Sequence, residues 1–236
     1  MKTIINEAIC GDCLSGMKSL ADKTVDLAIV DAPYGRKEHG GKFRGHFVLQ
    51  RNGDRLYVSD AGYEKKDWDY APAGVEYFQE IMRVSKAQII WGCNYYPIVF
   101  GPGRIIWDKC NDGSDQSDCE IAYNSLTDRV DIFRYMWRGM MQGKSIEEGT
   151  IQQGNKALNE KRIHPCQKPV NLYRWILRTY AKKGWVILNP FLGSGSSRIA
   201  AYDFGLDFVG FEIDTAYYAA QEERFRAYTD QANMFD

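Results

Sequence analysis

The 236-residue sequence has no apolar run approaching the roughly 18 residues of a membrane span, and Met1 to Glu7 carry no long apolar core of the kind that exports a chain. The expectation is a cytoplasmic protein with no membrane partner. Charge of one sign is also missing: 30 basic residues against 31 acidic ones leave a net charge of -1, so contact with nucleic acid would need a local basic surface. Of the six cysteines, Cys10 and Cys13 form a C-x-x-C with neither a second pair nor spaced histidines to complete about four zinc ligands. No metal is expected, and reduced thiols suit a chain without a secretory signal. The composition itself, 44% hydrophobic and 26% charged, argues against a disordered or fibrous chain. Its length suits one domain, residues 1–236, burying about 70% of its unfolded surface.

The chain is organised around Asp31-Ala32-Pro33-Tyr34-Gly35, which follows the run Val25-Asp26-Leu27-Ala28-Ile29-Val30. Five of those six residues are apolar, which predicts a short strand buried on both faces and stopped by the Pro33 and Gly35 turn. Asp31 is thereby delivered at a strand's carboxyl end, the edge at which open α/β sheets bind ligands.

In chain order, residues 3–9 predict a strand, residues 14–21 a short helix with Leu14, Met17 and Leu20 on one face, and residues 25–30 the second strand. A right-handed crossover would make these strands parallel and bring Asp12 and Asp31 to one sheet edge. Residues 36–70 lose all periodicity amid scattered glycines and basic residues, the pattern of a mobile loop or lid. Val75, Phe78, Ile81 and Met82 predict a helix, residues 87–91 a third buried strand, and residues 104–109 and 120–123 a hairpin at one end of the sheet. Residues 125–162 interleave arginines and lysines with Phe133, Tyr135 and Trp137. That suits phosphate contact with base stacking, and equally an aromatic strand with a solvated face. His164-Pro165-Cys166-Gln167-Lys168-Pro169 then forms a turn before a helix whose apolar face carries Leu172, Ile176 and Tyr180.

The last third runs from a strand (185–188) through Asn189-Pro190-Phe191-Leu192-Gly193-Ser194-Gly195-Ser196-Ser197 into a helix, then a strand over 207–212 that ends on Glu212. Glycines at such a junction let backbone approach a ligand, and an acid about 17 residues on suits a ribose diol, which reads as a nucleoside-containing cofactor. Arg198 stands where the dinucleotide fingerprint has its third glycine, so a pyrophosphate cofactor is disfavoured.

Together these stretches resemble the β-class DNA amino-methyltransferases: Asp31-Ala32-Pro33-Tyr34 is similar to their D-P-P-Y motif, and Asn189 to Ser197 to their D-P-F-x-G-S-G-T-T loop. The order, with H-P-x-Q-K-P between a recognition segment at 125–162 and the cofactor loop, is similar too. The resemblance implies an α/β fold with a doubly wound, mostly parallel, seven-stranded sheet, and S-adenosyl-L-methionine as cofactor. It further implies that Phe191, Gly193, Ser194 and Gly195 surround the cofactor's methionine moiety and that Glu212 holds its ribose. Asp12 and Cys13 would lie against its adenine, Gln167 and Lys168 near its methionine end, and Asn189 would accept from its amino group. Asp31 and the Ala32 carbonyl would accept the hydrogens of the target amino group, with Pro33 fixing the turn and Tyr34 stacking on a base flipped out of duplex DNA. Asp rather than Ser at position 31 leans toward N6 of adenine, with N4 of cytosine, an RNA substrate or a non-catalytic binding protein as alternatives. A homodimer is compatible with the resemblance, and no nuclease partner is named by it.

Overall fold

The computed structural model describes residues 5–36, 46–49, 54–58, 70–112, 117–138, 141–143 and 159–233. In chain order the strands are β1 (Asn6–Cys10), β2 (Val25–Val30), β3 (His46–Leu49), β4 (Arg55–Val58), β5 (Ser85–Trp91), β6 (Arg104–Asp108), β7 (Cys119–Asn124), β8 (Val130–Arg134), β9 (Met136–Arg138), β10 (Met141–Gly143), β11 (Val186–Asn189) and β12 (Asp207–Glu212). The helices are α1 (Cys13–Lys18), α2 (Val75–Val84), α3 (Val170–Tyr180), α4 (Ser196–Asp203) and α5 (Thr215–Asn233).

One sheet in the order β1-β12-β11-β2-β5-β7-β6-β8 carries the fold. From β1 through β5 every pairing is parallel, and β7 alone runs antiparallel to both its neighbours. The sheet has eight strands where the resemblance implied seven, because β8 adds in parallel to the outer edge of β6, pairing Ile106 with Ile132. The two strands of the first βαβ unit are parallel as expected but not adjacent, since β12 and β11 lie between them.

Alternation along the central strands divides the core in two. Leu27 and Ile29 of β2, Ile89 of β5 and Ile187 of β11 pack with Leu172 and Ile176 of α3 and Ile199 of α4. Ala28, Val30, Ile90 and Leu188 point the other way, onto Met17 of α1 and Phe78, Ile81 and Val84 of α2. A sheet buried on both faces has to read as continuous apolar strands, as β2 and β5 do, and helices on both faces make the fold doubly wound.

Local chemistry sets the helix starts. Asp12 caps α1, accepting from the backbone N–H of Leu14 (3.2 Å) and Ser15 (2.9 Å). Asp214 caps α5 in the same way, through the N–H groups of Ala216 and Tyr217. Arg198 explains the departure from a third glycine: its buried guanidinium donates to the Asn6 side chain at 2.7 Å and pairs with Glu222 at 2.6 Å, locking α4 to β1 and α5.

Two expectations fall partly outside the described residues. Within 36–70, β3 and β4 pair as an antiparallel hairpin, and most of the remainder is not described. Within 125–162, β8 joins the main sheet and β9 pairs with β10, while residues 144–158 are not described. The aromatic residues of that segment face inward: Tyr135 and Trp137 are buried, and Phe133 stacks on Tyr135 and packs on Trp175. On β8 the exposed positions are Val130, Ile132 and Arg134. No helix among the described residues is long and apolar enough to cross a membrane.

Candidate active site

Because β1, β12, β11, β2 and β5 run parallel, their carboxyl ends share one edge and deliver Gly11, Glu212, Pro190, Asp31 and Gly92 side by side. A cleft of about 680 Å³ opens there, within the usual range for a small-molecule site. One end is lined by Asp12, Cys13, Tyr77, Phe191, Gly193 and Glu212, and the other by Trp107, Lys109, Glu120, Trp137, Arg162 and Tyr173. Asp31 and Lys168 line the same cleft.

The glycine loop is held by its own carboxylate. Glu212 accepts from the backbone N–H of Gly193 at 2.8 Å through Oε2 and from that of Asp214 at 2.9 Å through Oε1. A carboxylate has about four acceptor positions, so Glu212 retains capacity toward the cleft. Burial raises its pKa above the ordinary value, against the stabilising backbone N–H groups. Gly193 and Gly195 both adopt positive φ, 54° and 73°, and a Cβ at Gly193 would meet nothing nearer than the His164 ring at 3.8 Å. The loop is therefore open on that side. Phe191 and Tyr77 form an aromatic wall, with their rings 5.8 Å apart. Ser194 shares a hydrogen bond with Ser196.

Several expected contacts are arranged differently. The Asn189 side chain does not reach the cleft, which corrects its role as acceptor for a cofactor amino group. Its Oδ1 accepts from the Phe191 N–H at 3.0 Å and its Nδ2 donates to Ser197 at 2.7 Å, so both ends hold the turn. Gly195 does not line the cleft either: it caps α4 in a left-handed conformation with its α-carbon facing Gln221. The Gln167 side chain is spent on the loop, donating to Glu160 and the Lys161 carbonyl and accepting from the Ile163 N–H. Asp12 and Cys13 do lie at the cleft, but Asp12 is occupied in capping α1, while burial and then Asp12 push the Cys13 thiol up to about 12. Cys13 is accordingly a neutral thiol at physiological pH. Among the described residues no group of three or more His, Cys, Asp and Glu could hold a metal ion.

Asp31 sits in a network richer than the sequence suggested. Its Oδ1 accepts from the Tyr34 hydroxyl at 2.7 Å and from the Lys168 ammonium at 2.5 Å. Lys168 is buried at 5% exposure, lies 3.2 Å from the Tyr34 hydroxyl, and is 3.0 Å from Oε2 of Glu120. Burial opposes its charge, but Asp31 and then Glu120 more than compensate and raise its pKa. Glu120 pairs through Oε1 with Lys109 at 2.6 Å. Burial alone would raise its pKa, yet Lys168 and Lys109 together hold it at about 2. Lys168 was expected at the methionine end of a cofactor, whereas its ammonium is seated on Asp31.

The aromatic surroundings are equally specific. Tyr34 stacks on Tyr95 with ring centroids 5.0 Å apart, and Arg36 donates to the Tyr95 hydroxyl. The Tyr96 hydroxyl donates to the Ala32 carbonyl at 2.9 Å, leaving that oxygen one further lone pair. Glu120, Tyr95 and Tyr96 were absent from the sequence-derived site. Their signals were an acid at the start of the apolar run Ile121-Ala122-Tyr123, and an aromatic pair just past the carboxyl end of β5.

The comparisons with known proteins agree with this architecture. The profile of the N6_N4_Mtase family, described as DNA methylase, matches residues 106–223, half of the chain. The chain is 23% identical to the type II methyltransferase M.HinfI of Haemophilus influenzae over 258 aligned residues, covering 94% of this chain and 68% of that protein. Among solved structures, it is similar to M1.HpyAVI in complex with SAM, with a TM-score of 0.53, 16% identity and coverage of 92% of this chain and 98% of the other. It is similar also to the PvuII DNA methyltransferase (cytosine-N4-specific), with a TM-score of 0.54, 14% identity and coverage of 98% and 93%. These structural likenesses establish the fold, an α/β doubly wound methyltransferase sheet, and the matched profile establishes the lineage: the chain belongs to the N6_N4_Mtase family of DNA methylases.

Proposed function

We propose that this chain transfers a methyl group from S-adenosyl-L-methionine to an exocyclic amino group of a base in duplex DNA, and that the preferred target is N6 of adenine. The observation that carries the reading is the position of Asp31 in the same cleft as the Gly193 loop and Glu212. A carboxylate is thus held beside a site whose chemistry suits a nucleoside cofactor. The donor set fits that cofactor: Glu212 keeps lone pairs for a ribose diol, Phe191 and Tyr77 offer flat apolar surface, and the open Gly193 backbone admits close approach. When bound, the cofactor supplies a methyl group on a positively charged sulfonium.

The chain's own residues would do the rest. An exocyclic amino nitrogen is a poor nucleophile because its lone pair is delocalised into the ring. Asp31 and the free lone pair of the Ala32 carbonyl accept its two hydrogens, turning the nitrogen lone pair toward the methyl group and favouring the charge that develops on nitrogen. A base in a duplex is out of reach, so it must be turned out at a cost of a few kcal/mol, which stacking on Tyr34 offsets in part. Tyr95 now covers that ring and would have to yield. The polar end of the cleft, with Lys109 and Arg162, suits the DNA side of the site.

The preference for adenine rests on Asp at position 31, and the cytosine-N4-specific name of one structural neighbour supports the second reading. Expression of wild type and Asp31→Ala in a host lacking DNA methylation, followed by mass spectrometry of its nucleosides, tests both. N6-methyladenine with wild type alone is expected. N4-methylcytosine would overturn the base assignment, and no modified nucleoside despite folded, cofactor-binding protein would overturn the reaction.

A further inference from the structure

The proposed reaction needs Asp31 as a charged acceptor, yet the Lys168 ammonium lies 2.5 Å from its Oδ1. Whichever oxygen the amino hydrogen uses, a cation on one of them draws charge from both and weakens the carboxylate as an acceptor. Lys168 cannot simply retreat to water, because its side chain is only 4% exposed and a buried ammonium requires an anionic partner. One other carboxylate pairs with it among the described residues, Glu120 on β7.

Glu120 is built to receive it. Oε2 is sealed from solvent and already makes the longer of the two ion pairs of Lys168, 3.0 Å from Nζ against 2.5 Å for Oδ1 of Asp31. Oε1 is anchored by Lys109, which keeps the carboxylate charged and fixed in direction. The ammonium therefore bridges two carboxylates and lies closer to Asp31 than to Glu120, a balance that a small rotation of its last torsions reverses. The rings of Tyr34 and Trp91, with centroids 5.5 Å and 5.6 Å from Nζ, flank both positions.

We propose that Glu120 is a positioning residue for methyl transfer: it draws the Lys168 ammonium off Asp31 as the target amino group arrives, and Lys109 holds it ready to do so. The inference rests on the reading of Asp31 as acceptor for the amino group. It makes Lys168 a conditional brake, placed on Asp31 when no base is present and moved to Glu120 when one enters.

The test is single-turnover transfer of radiolabelled methyl from S-adenosylmethionine to genomic DNA prepared from a methylation-free host. Glu120→Gln removes the second seat at constant size. Its transfer rate should fall at least tenfold while cofactor affinity by calorimetry stays within about threefold. Lys168→Met in the Glu120→Gln background removes the clamp from Asp31 and should recover at least threefold of that loss, a reversal that a merely structural role for Glu120 would not produce. Glu120→Gln at the wild-type rate, or a double variant no faster than Glu120→Gln, overturns the proposal. Should Glu120→Gln fail to fold, Glu120→Asp carries the test: slowed transfer at unchanged cofactor affinity supports the second seat, and the wild-type rate overturns it. Wild type unable to methylate this DNA would instead refute the methyl-transfer reading itself.

Discussion

Adding one methyl group at Gly92 tests how firmly Tyr34 is held. Gly92 follows β5 with φ at 65°, where an alanine costs roughly 1–2 kcal/mol in backbone conformation alone. The added Cβ would also lie 2.2 Å from Cε1 of Tyr34, far inside contact distance. The ring has little freedom to retreat, since its hydroxyl is bonded to Asp31 and its face is stacked on Tyr95. Gly92 is fixed as well, donating to the Ile121 carbonyl and accepting from the Tyr95 N–H, both at 2.9 Å. Overpacking of this kind costs about 1–3 kcal/mol, so the whole substitution should cost about 2–5 kcal/mol. In a domain of this size that lowers Tm by roughly 4–20 °C. Gly184→Ala is the internal control: φ there is 80°, yet nothing lies within 4 Å of the added carbon, so only the backbone cost of about 1–2 kcal/mol applies. Urea unfolding of both variants, at constant m-value, measures the difference. If Gly92→Ala proves no less stable than Gly184→Ala, Tyr34 is not packed as described and its place in the site must be reconsidered.

Further outcomes follow from the same geometry. His164 lines the cleft with its pKa lowered to about 4 by burial and then by Lys168, against the pull of Asp214. The unfolded chain therefore binds more protons between about pH 6.5 and 4, so stability should fall as pH drops through that window, by on the order of 1–3 kcal/mol, and His164→Gln should flatten the dependence measured by urea unfolding. An equal slope in the variant would exclude His164 as its source. Tyr95→Ala removes a stacked partner of Tyr34 that is worth about 0.5–1.5 kcal/mol, so entry of the target base should become easier and the KM for DNA should fall two- to tenfold. A raised KM would mean that Tyr95 assists the base rather than covering its place. Asn189→Asp keeps the oxygen that accepts from Phe191 and replaces the nitrogen with an acceptor to which the Ser197 hydroxyl can turn and donate, all within the turn, so cofactor affinity by calorimetry should stay within about threefold. Clearly tighter binding would restore Asn189 to the cofactor site.

What the sequence revealed follows from the physics of burial. β2 and β5 are buried on both faces, so their apolar runs were unambiguous, and a turn after each placed Asp31 and Gly92 on the ligand edge. α5 carried no comparable signal because much of its inner face is polar: Gln221 is fully buried and Arg224 donates to Ser194, so hydrophobic periodicity could not find it. Residues 125–162 read as a recognition segment because arginines and lysines alternate there with aromatic residues, whereas on β8 itself the outward positions are Val130, Ile132 and Arg134. Motif residues such as Asp31, Phe191 and Glu212 were legible as a cleft because strand ends deliver them together. The side-chain partners were not. Asn189 turning inward, Lys168 reaching Asp31 from 137 residues away, and Glu120 meeting both lysines are products of tertiary packing, which no local pattern encodes.

The central claim is that Asp31 acts on the target amino group and not on the cofactor. Asp31→Asn keeps the size of the side chain and removes its charge, so purified variant and wild type should bind S-adenosylmethionine with equal affinity by calorimetry. Single-turnover methyl transfer to methylation-free DNA should fall by about 10²-fold or more in the variant, the scale of losing one charged stabilising contact in a water-excluded site. Transfer at the wild-type rate with cofactor binding intact would contradict the account.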